Sequence, residues 1–310
     1  MRSIALSLFA LAQAASFATA QNVVNDSTAS VIAYWEPGDH RVYDVTRSVE
    51  GPKPARSSYR IALKVVDATD STYLLECHYS ELRVEAALPE DPRDQAVFRK
   101  LLYALDGLRF TVTTDETGIP LALARPQEVD EHARQVMHGI LDMALDHGER
   151  LRMEAALEPV IGAANLAQDA LEDIGNLLFP FGVAYINGRE EHVEAEVPNP
   201  LGGIPFRTRQ VFVMDRFDKE KRTAHMRMRQ SIDPKAVDED IENLIASCGG
   251  VGLAGEVREK LRRDIEGVRV DETMDIEMDL QGAWTRQLEF TRESRARGIV
   301  SRETRTYLLR

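Results

Sequence analysis

The chain has 310 residues, with 51 acidic against 38 basic side chains and a formal net charge of −13 at neutral pH. That surplus repels phosphate backbones and anionic headgroups, which argues against nucleic acid and against electrostatic docking on a membrane. The length suits one large domain or two small ones, and hydrophobic residues, at 44%, suffice for a sizeable core.

The first twenty residues, MRSIALSLFALAQAASFATA, read as a secretory signal peptide. Arg2 supplies the positive start, Ile4 to Ala15 a short apolar run, and Ala18-Thr19-Ala20 a small-residue cleavage site. Cleavage after Ala20 removes Arg2 and no acid, taking the charge from −13 to −14 and leaving roughly 290 residues. No cysteine stands at the cleavage site to carry a lipid anchor, and no later stretch is long and apolar enough to span a bilayer. The expectation is a secreted or periplasmic protein with no integral membrane segment after cleavage. Asn25-Asp26-Ser27, in the polar leader that follows, is a formal glycosylation acceptor in a eukaryotic host.

Strands come next. HRVYDVTRSV, from His40, is the first. YRIALKVV alternates Tyr59, Ile61, Leu63 and Val65 against Arg60 and Lys64, and TYLLECHYSEL returns with Tyr73, Leu75, Cys77 and Tyr79 on one face, so the two form a long hairpin. A short helix is predicted over Arg93 to Leu105. LRFTVTTDETGIPLALA then gives a strand, a turn ending at Gly118 and a second strand. Pro126 opens a helix with an apolar seam of Val129, Ala133, Val136, Ile140 and Ala144, and helical sequence interrupted by Pro159 continues to about Leu178. In LLFPFGVAYING, Pro180 ends that helix, Gly182 releases the chain, and an extended segment runs to the turn at Asn187-Gly188.

The second half repeats the pattern. REEHVEAEV and FRTRQVFVMD are strands, and TAHMRMRQS turns Ala224, Met226 and Met228 to one side. Asp233-Pro234 caps a helix whose seam is Val237, Ile241, Leu244, Ile245 and Cys248. A second short helix precedes TMDIEMDL, with Met274, Ile276, Met278 and Leu280 inward, and two final strands. The fold class is therefore α+β: long antiparallel strands in a curved sheet or half-barrel, covered by the intervening helices. A single mature domain over residues 21–310 is expected, with β blocks 39–125 and 189–310 joined by helices over 126–178. Shared spacing in the two blocks leaves a duplication open.

Motifs that carry chemistry are few. GVGLAG, Gly250 to Gly255, matches G-x-G-x-x-G but follows helical rather than strand sequence, so it reads as a helix–helix connector. Glu128, His132, Gln135, His138 and Asp142 share one side of a helix, yet their spacing fits no metal-ligand motif, and a hydrolase or metal site there is the weakest reading. Cys77 and His78 point to opposite strand faces and cannot pair as nucleophile and base. No catalytic residue, metal or cofactor is assigned. Cys77 and Cys248 are an allowed disulfide in an oxidising compartment, or two buried thiols. The acidic run Asp275, Glu277 and Asp279 faces outward, opposite arginines such as Arg207, Arg209, Arg227 and Arg229.

The leader, YRIALKVVDATDSTYLLECHYS, FTVTTDETGIPLAL before a helix, and the later block of long strands together resemble secreted bacterial envelope proteins of unknown function, built as a curved antiparallel half-barrel on helices. The periplasmic lipoprotein carriers are the better-understood example of that shape. The resemblance implies an apolar cavity between sheet and helices and transfers no functional residue. Phe179, Phe181, Tyr185, Met226, Met228 and Trp284 are the cavity candidates, each with core packing as the alternative. The expected role is non-catalytic: binding a hydrophobic or amphipathic small molecule. The alternative is an interaction or scaffold protein docking an envelope partner.

Overall fold

The computed structural model describes residues 23–25, 27–52, 54–143, 146–197, 206–232, 269–296 and 298–310. The leader of residues 1–20, the helix expected after Asp233-Pro234, GVGLAG and Cys248 lie outside the described residues.

Strand dominates the described chain, at 52% against 25% helix. The order is β1 (Val23–Asn25), β2 (Thr28–Val31), β3 (His40–Glu50), β4 (Ala55–Ala68), β5 (Thr72–Ala86), α1 (Pro92–Leu102), β6 (Arg109–Asp115), β7 (Pro120–Leu123), α2 (Pro126–Leu141), α3 (His147–Ile161), α4 (Ala163–Leu178) and β8 (Val183–Ile186), followed by β9 (Glu190–Val197), β10 (Phe206–Asp218), β11 (Thr223–Ile232), β12 (Arg269–Asp279), β13 (Trp284–Ala296) and β14 (Ile299–Leu309). The interruption expected at Pro159 falls elsewhere. Pro159 sits inside α3, and the break comes three residues later at Gly162, which ends α3 and starts α4.

Eleven strands make one curved antiparallel sheet in the order β7-β6-β5-β4-β3-β14-β13-β12-β11-β10-β9. Each half is a meander of neighbours in sequence. The halves meet where the last strand of the chain pairs with the first of the sheet, from Arg302↔Glu50 to Leu309↔Tyr43. The central strands turn an apolar, buried face to one side: Tyr59, Ile61, Leu63 and Val65 on β4, Met226 and Met228 on β11, Met274, Ile276 and Met278 on β12. A smaller sheet, β1-β2-β8, carries the buried Ala29, Val31 and Tyr185.

One end of the large sheet is filled by rings. Trp35 stacks on Trp284 at 4.7 Å and meets Tyr73 and Phe181 at 5.2 Å, and its indole N–H donates to the Ala283 carbonyl at 2.9 Å. Such pairs contribute about 0.5–1.5 kcal/mol each beyond the area they bury. Gly118 allows the approach: its φ is +98°, and a Cβ there would lie 2.7 Å from the Phe181 ring and 2.9 Å from Ala33. At this end Thr285 donates to the Leu177 carbonyl at 2.6 Å, tying the last turn of α4 to β13.

Candidate ligand cavity at the open end of the sheet

The opposite end is built differently, for a reason visible in cross-strand register. Met214, Met226, Ile276, Leu288, Tyr307, Val45 and Tyr59 stand side by side across seven strands as one apolar level. Two residues further along each strand, the level passes from Phe212, Met228, Met274 and Phe290 to Arg305, Arg47, Ser57 and Val84. The next reads Gln210, Gln230, Glu272, Arg292, Glu303, Val49 and Ala55. Inward positions thus change from large apolar side chains to charged and small ones within about 7 Å of strand.

Five carboxylates and three guanidinium groups form the charged belt. Arg305, 4% exposed, reaches Asp173 at 2.8 Å and Glu172 at 2.7 Å on α4, and Glu303 on its own strand. Glu303 also takes Arg47 at 2.8 Å, while Arg292 joins Glu172 at 2.7 Å and Glu272 at 2.6 Å. Asp169, one turn before Asp173 on α4, completes the set. Gln230 donates to Glu272 and accepts from Gln210, continuing the belt to β10.

Asp173 is the hub. Besides Arg305 it accepts hydroxyls from Tyr59 at 2.8 Å, Tyr79 at 3.0 Å and Tyr307 at 2.6 Å, so one helical carboxylate is bound to β4, β5 and β14. An isolated charge buried this deeply would cost several kcal/mol, and four donors offset that cost. Burial first, then the Asp173 charge, pushes all three tyrosines well above their ordinary range, so they stay neutral donors. Burial alone would lower Arg305, but Asp173, Tyr307, Glu172 and Glu303 outweigh it and hold the guanidinium charged. Burial pushes Glu172 and Glu303 up, and their arginines outweigh it, so both carboxyls end below the usual range.

Against this belt lies a cavity of about 300 Å³. Val49, Ala55, Leu82, Val84, Leu102 and Leu105 form its apolar walls, and Arg47, Arg56, Ser57, Tyr59, Asp169, Asp173 and Arg305 its polar side. The space exists because β4 enters with Ala55 and Ser57 where its later inward residues are Tyr59, Ile61 and Leu63. Tyr59 has committed its hydroxyl to Asp173, so it serves as a fixed donor rather than a nucleophile.

The residues singled out from sequence sit elsewhere. Phe181, Tyr185 and Trp284 are buried around the closed end, with the Tyr185 hydroxyl donating to the Pro180 carbonyl at 3.2 Å. Phe179 is half-buried and stacks on Phe212 at 5.3 Å. Met226 and Met228 are buried in the apolar levels of β11. None of the six lines the cavity. Cys77 is a buried free thiol, its pKa pushed up by burial, and its suggested partner Cys248 lies outside the described residues. The helix-face stripe is split among partners: Glu128 accepts from Thr111 at 2.9 Å, His132 contacts the Ala104 carbonyl at 2.7 Å, and His138 is exposed. Among the described residues no group of three or more His, Cys, Asp or Glu could hold a metal. The outward acids behave as surface partners, Asp275 meeting His225 at 2.7 Å and Glu277 lying 3.7 Å from Arg286.

The belt residues went unnoticed in the sequence, although a signal exists. Carrying each inward alternation one step further gives Glu272 before Met274, Arg292 after Phe290, and Glu303 and Arg305 before Tyr307. Three consecutive strands place charge at an inward position next to an aromatic or methionine.

No family model matches the chain, and no curated protein does. Among solved structures the chain is loosely similar to one described as lipid–protein interactions in lipovitellin, at a TM-score of 0.39 and 9% identity. The match covers 89% of this chain and 25% of that one, so the chain spans a quarter of that structure's length.

Proposed function

We propose that this is a non-catalytic binding protein of the cell envelope, which holds an amphipathic small molecule in the cavity at the open end of its sheet. In this reading residues 1–20 are removed after Ala20, and the mature chain is secreted or periplasmic. The curved sheet, with helices closing its concave side, is then a half-barrel like those of the secreted bacterial envelope proteins it resembles. One observation carries the reading: a cavity of about 300 Å³ with aliphatic walls and a polar side whose Asp173 and Arg305 are fixed by an internal ion pair. That volume lies at the lower end of the range for small-molecule sites, and aliphatic walls with a few fixed polar groups are their usual lining.

Native mass spectrometry of protein purified from its own compartment tests it. Wild-type protein is expected to carry a small amphiphile. Ala55→Leu grows into the void, so it is expected to lose the ligand while shifting stability by no more than about 1 kcal/mol. Wild-type protein that carries nothing and takes up no alkyl-chain probe overturns the reading.

A further inference from the structure

On the outer face of the sheet, a histidine that takes no part in the cavity is held between carboxylates from the strands on either side. His225, on β11, brings Nδ1 within 2.6 Å of Asp215 on β10 and Nε2 within 2.7 Å of Asp275 on β12. A β-bulge makes the first contact possible. The pairing of β10 with β11 slips between Met214 and Arg216, so Asp215 is the extra residue, and its carboxylate reaches the ring. The imidazole side chain is only 15% exposed.

Together the two contacts define a proton count. An ionised carboxylate only accepts hydrogen bonds, so each ring nitrogen has to carry a hydrogen, which only the imidazolium form provides. The neutral ring has a single N–H and would turn a lone pair toward one of the acids. The two acids would fare unequally. Asp215 also meets Arg227 at 2.8 Å. Burial pushes the Asp215 carboxyl up, and the His225 hydrogen bond with the charges of His225, Arg227 and Arg216 outweighs it, leaving the group below the usual range. Asp275 is more than half exposed and relies on His225, because Arg227, its direct neighbour across β11, is turned to Asp215.

We propose that His225 is a proton-operated lock across β10, β11 and β12, closed in the imidazolium form and opened at Asp275 when the ring gives up a proton. The remaining charges around the ring are Arg216 and Asp218 on β10 and Glu277 on β12, which lies 3.7 Å from Arg286 of β13. Glu277 shares the outer face of β12 with Asp275, and Glu289 of β13 stands opposite it, so the freed carboxylate joins a group of like charges.

Denaturant unfolding of the whole protein at about pH 5.5 and about pH 8.5, either side of the ordinary histidine value of about 6.5, tests the lock. Its contribution is present at the lower pH and lost at the higher. His225→Gln is expected to raise the unfolding equilibrium constant about tenfold at the lower pH and no more than about twofold at the higher. Asp275→Asn supplies an amide that can accept from Nε2 or donate to it, so this variant should fold and show a flatter pH dependence. Nitrogen NMR should find both ring N–H groups of His225 protected from exchange at the lower pH and one at the higher. An equal penalty for His225→Gln at both pH values, a single ring N–H at the lower pH, or an unchanged pH dependence in Asp275→Asn overturns the lock. None of these outcomes depends on whether the cavity binds a ligand.

Discussion

Both ends of the curved sheet are made by the same strands, yet one is packed with rings and the other with ion pairs. At the closed end Trp35, Trp284, Tyr73 and Phe181 interdigitate, and Gly118 has no side chain to keep them apart. At the open end the corresponding inward positions carry Arg47, Glu303, Arg305, Ala55 and Ser57, and Asp173 ties α4 to the strands there. The difference is one of material. Dispersion and burial tolerate neither water nor space, whereas a hydrogen-bonded charge network holds its geometry beside a cavity.

The two ends should therefore break differently. Trp284→Ala and Asp173→Ala are each expected to lower unfolding stability by about 3–5 kcal/mol, the first by opening a cavity and the second by stranding three tyrosine hydroxyls and part of the Arg305 charge. Denaturant unfolding of the purified variants measures both. A cost below about 1 kcal/mol for Asp173→Ala would show that the belt does not anchor α4.

Acid should separate the ends next. Glu172 and Glu303 have carboxyls lowered on folding, so their contribution is fully present above the unfolded value of about 4.3 and is lost as pH falls through the lowered folded values. Asp169 has the opposite sign: its carboxyl is raised, so its ionisation opposes folding, and protonating it gives a little stability back. The net expectation is loss of stability below about pH 4, with amide exchange in the first turns of α4 rising before that around Trp284. Simultaneous exchange at both ends would contradict it.

The smallest effect concerns Gly118. Gly118→Ala places a methyl group against Phe181 and Ala33 at a positive φ, and about 1–3 kcal/mol is expected, confined to the closed end. Ligand uptake at the open end should not move. A large change there would mean that the ends are coupled through α4.

Much of the local structure could be read from the chain itself. Alternation in Tyr59 to Val65, in Ala224 to Met228 and in Met274 to Leu280 fixes which face of each strand is buried, because a pleated strand sends successive side chains to opposite sides whatever its partners. Pro126 and the seam through Val129, Ala133 and Ile140 likewise set α2, since helical period and the missing proline N–H are local properties. What tertiary structure alone decided is which residues share a level. Glu303 meets Arg47 across 256 positions of sequence, and Asp173 gathers Tyr59, Tyr79, Arg305 and Tyr307 from three strands, only because β14 pairs with β3 in one register. The same register sends Phe181 and Trp284 to the closed end and leaves the space beside Ala55 and Ser57 at the other. Strand pairing between the chain's two ends carries no local signature, so the place of the cavity emerged only with the assembled sheet.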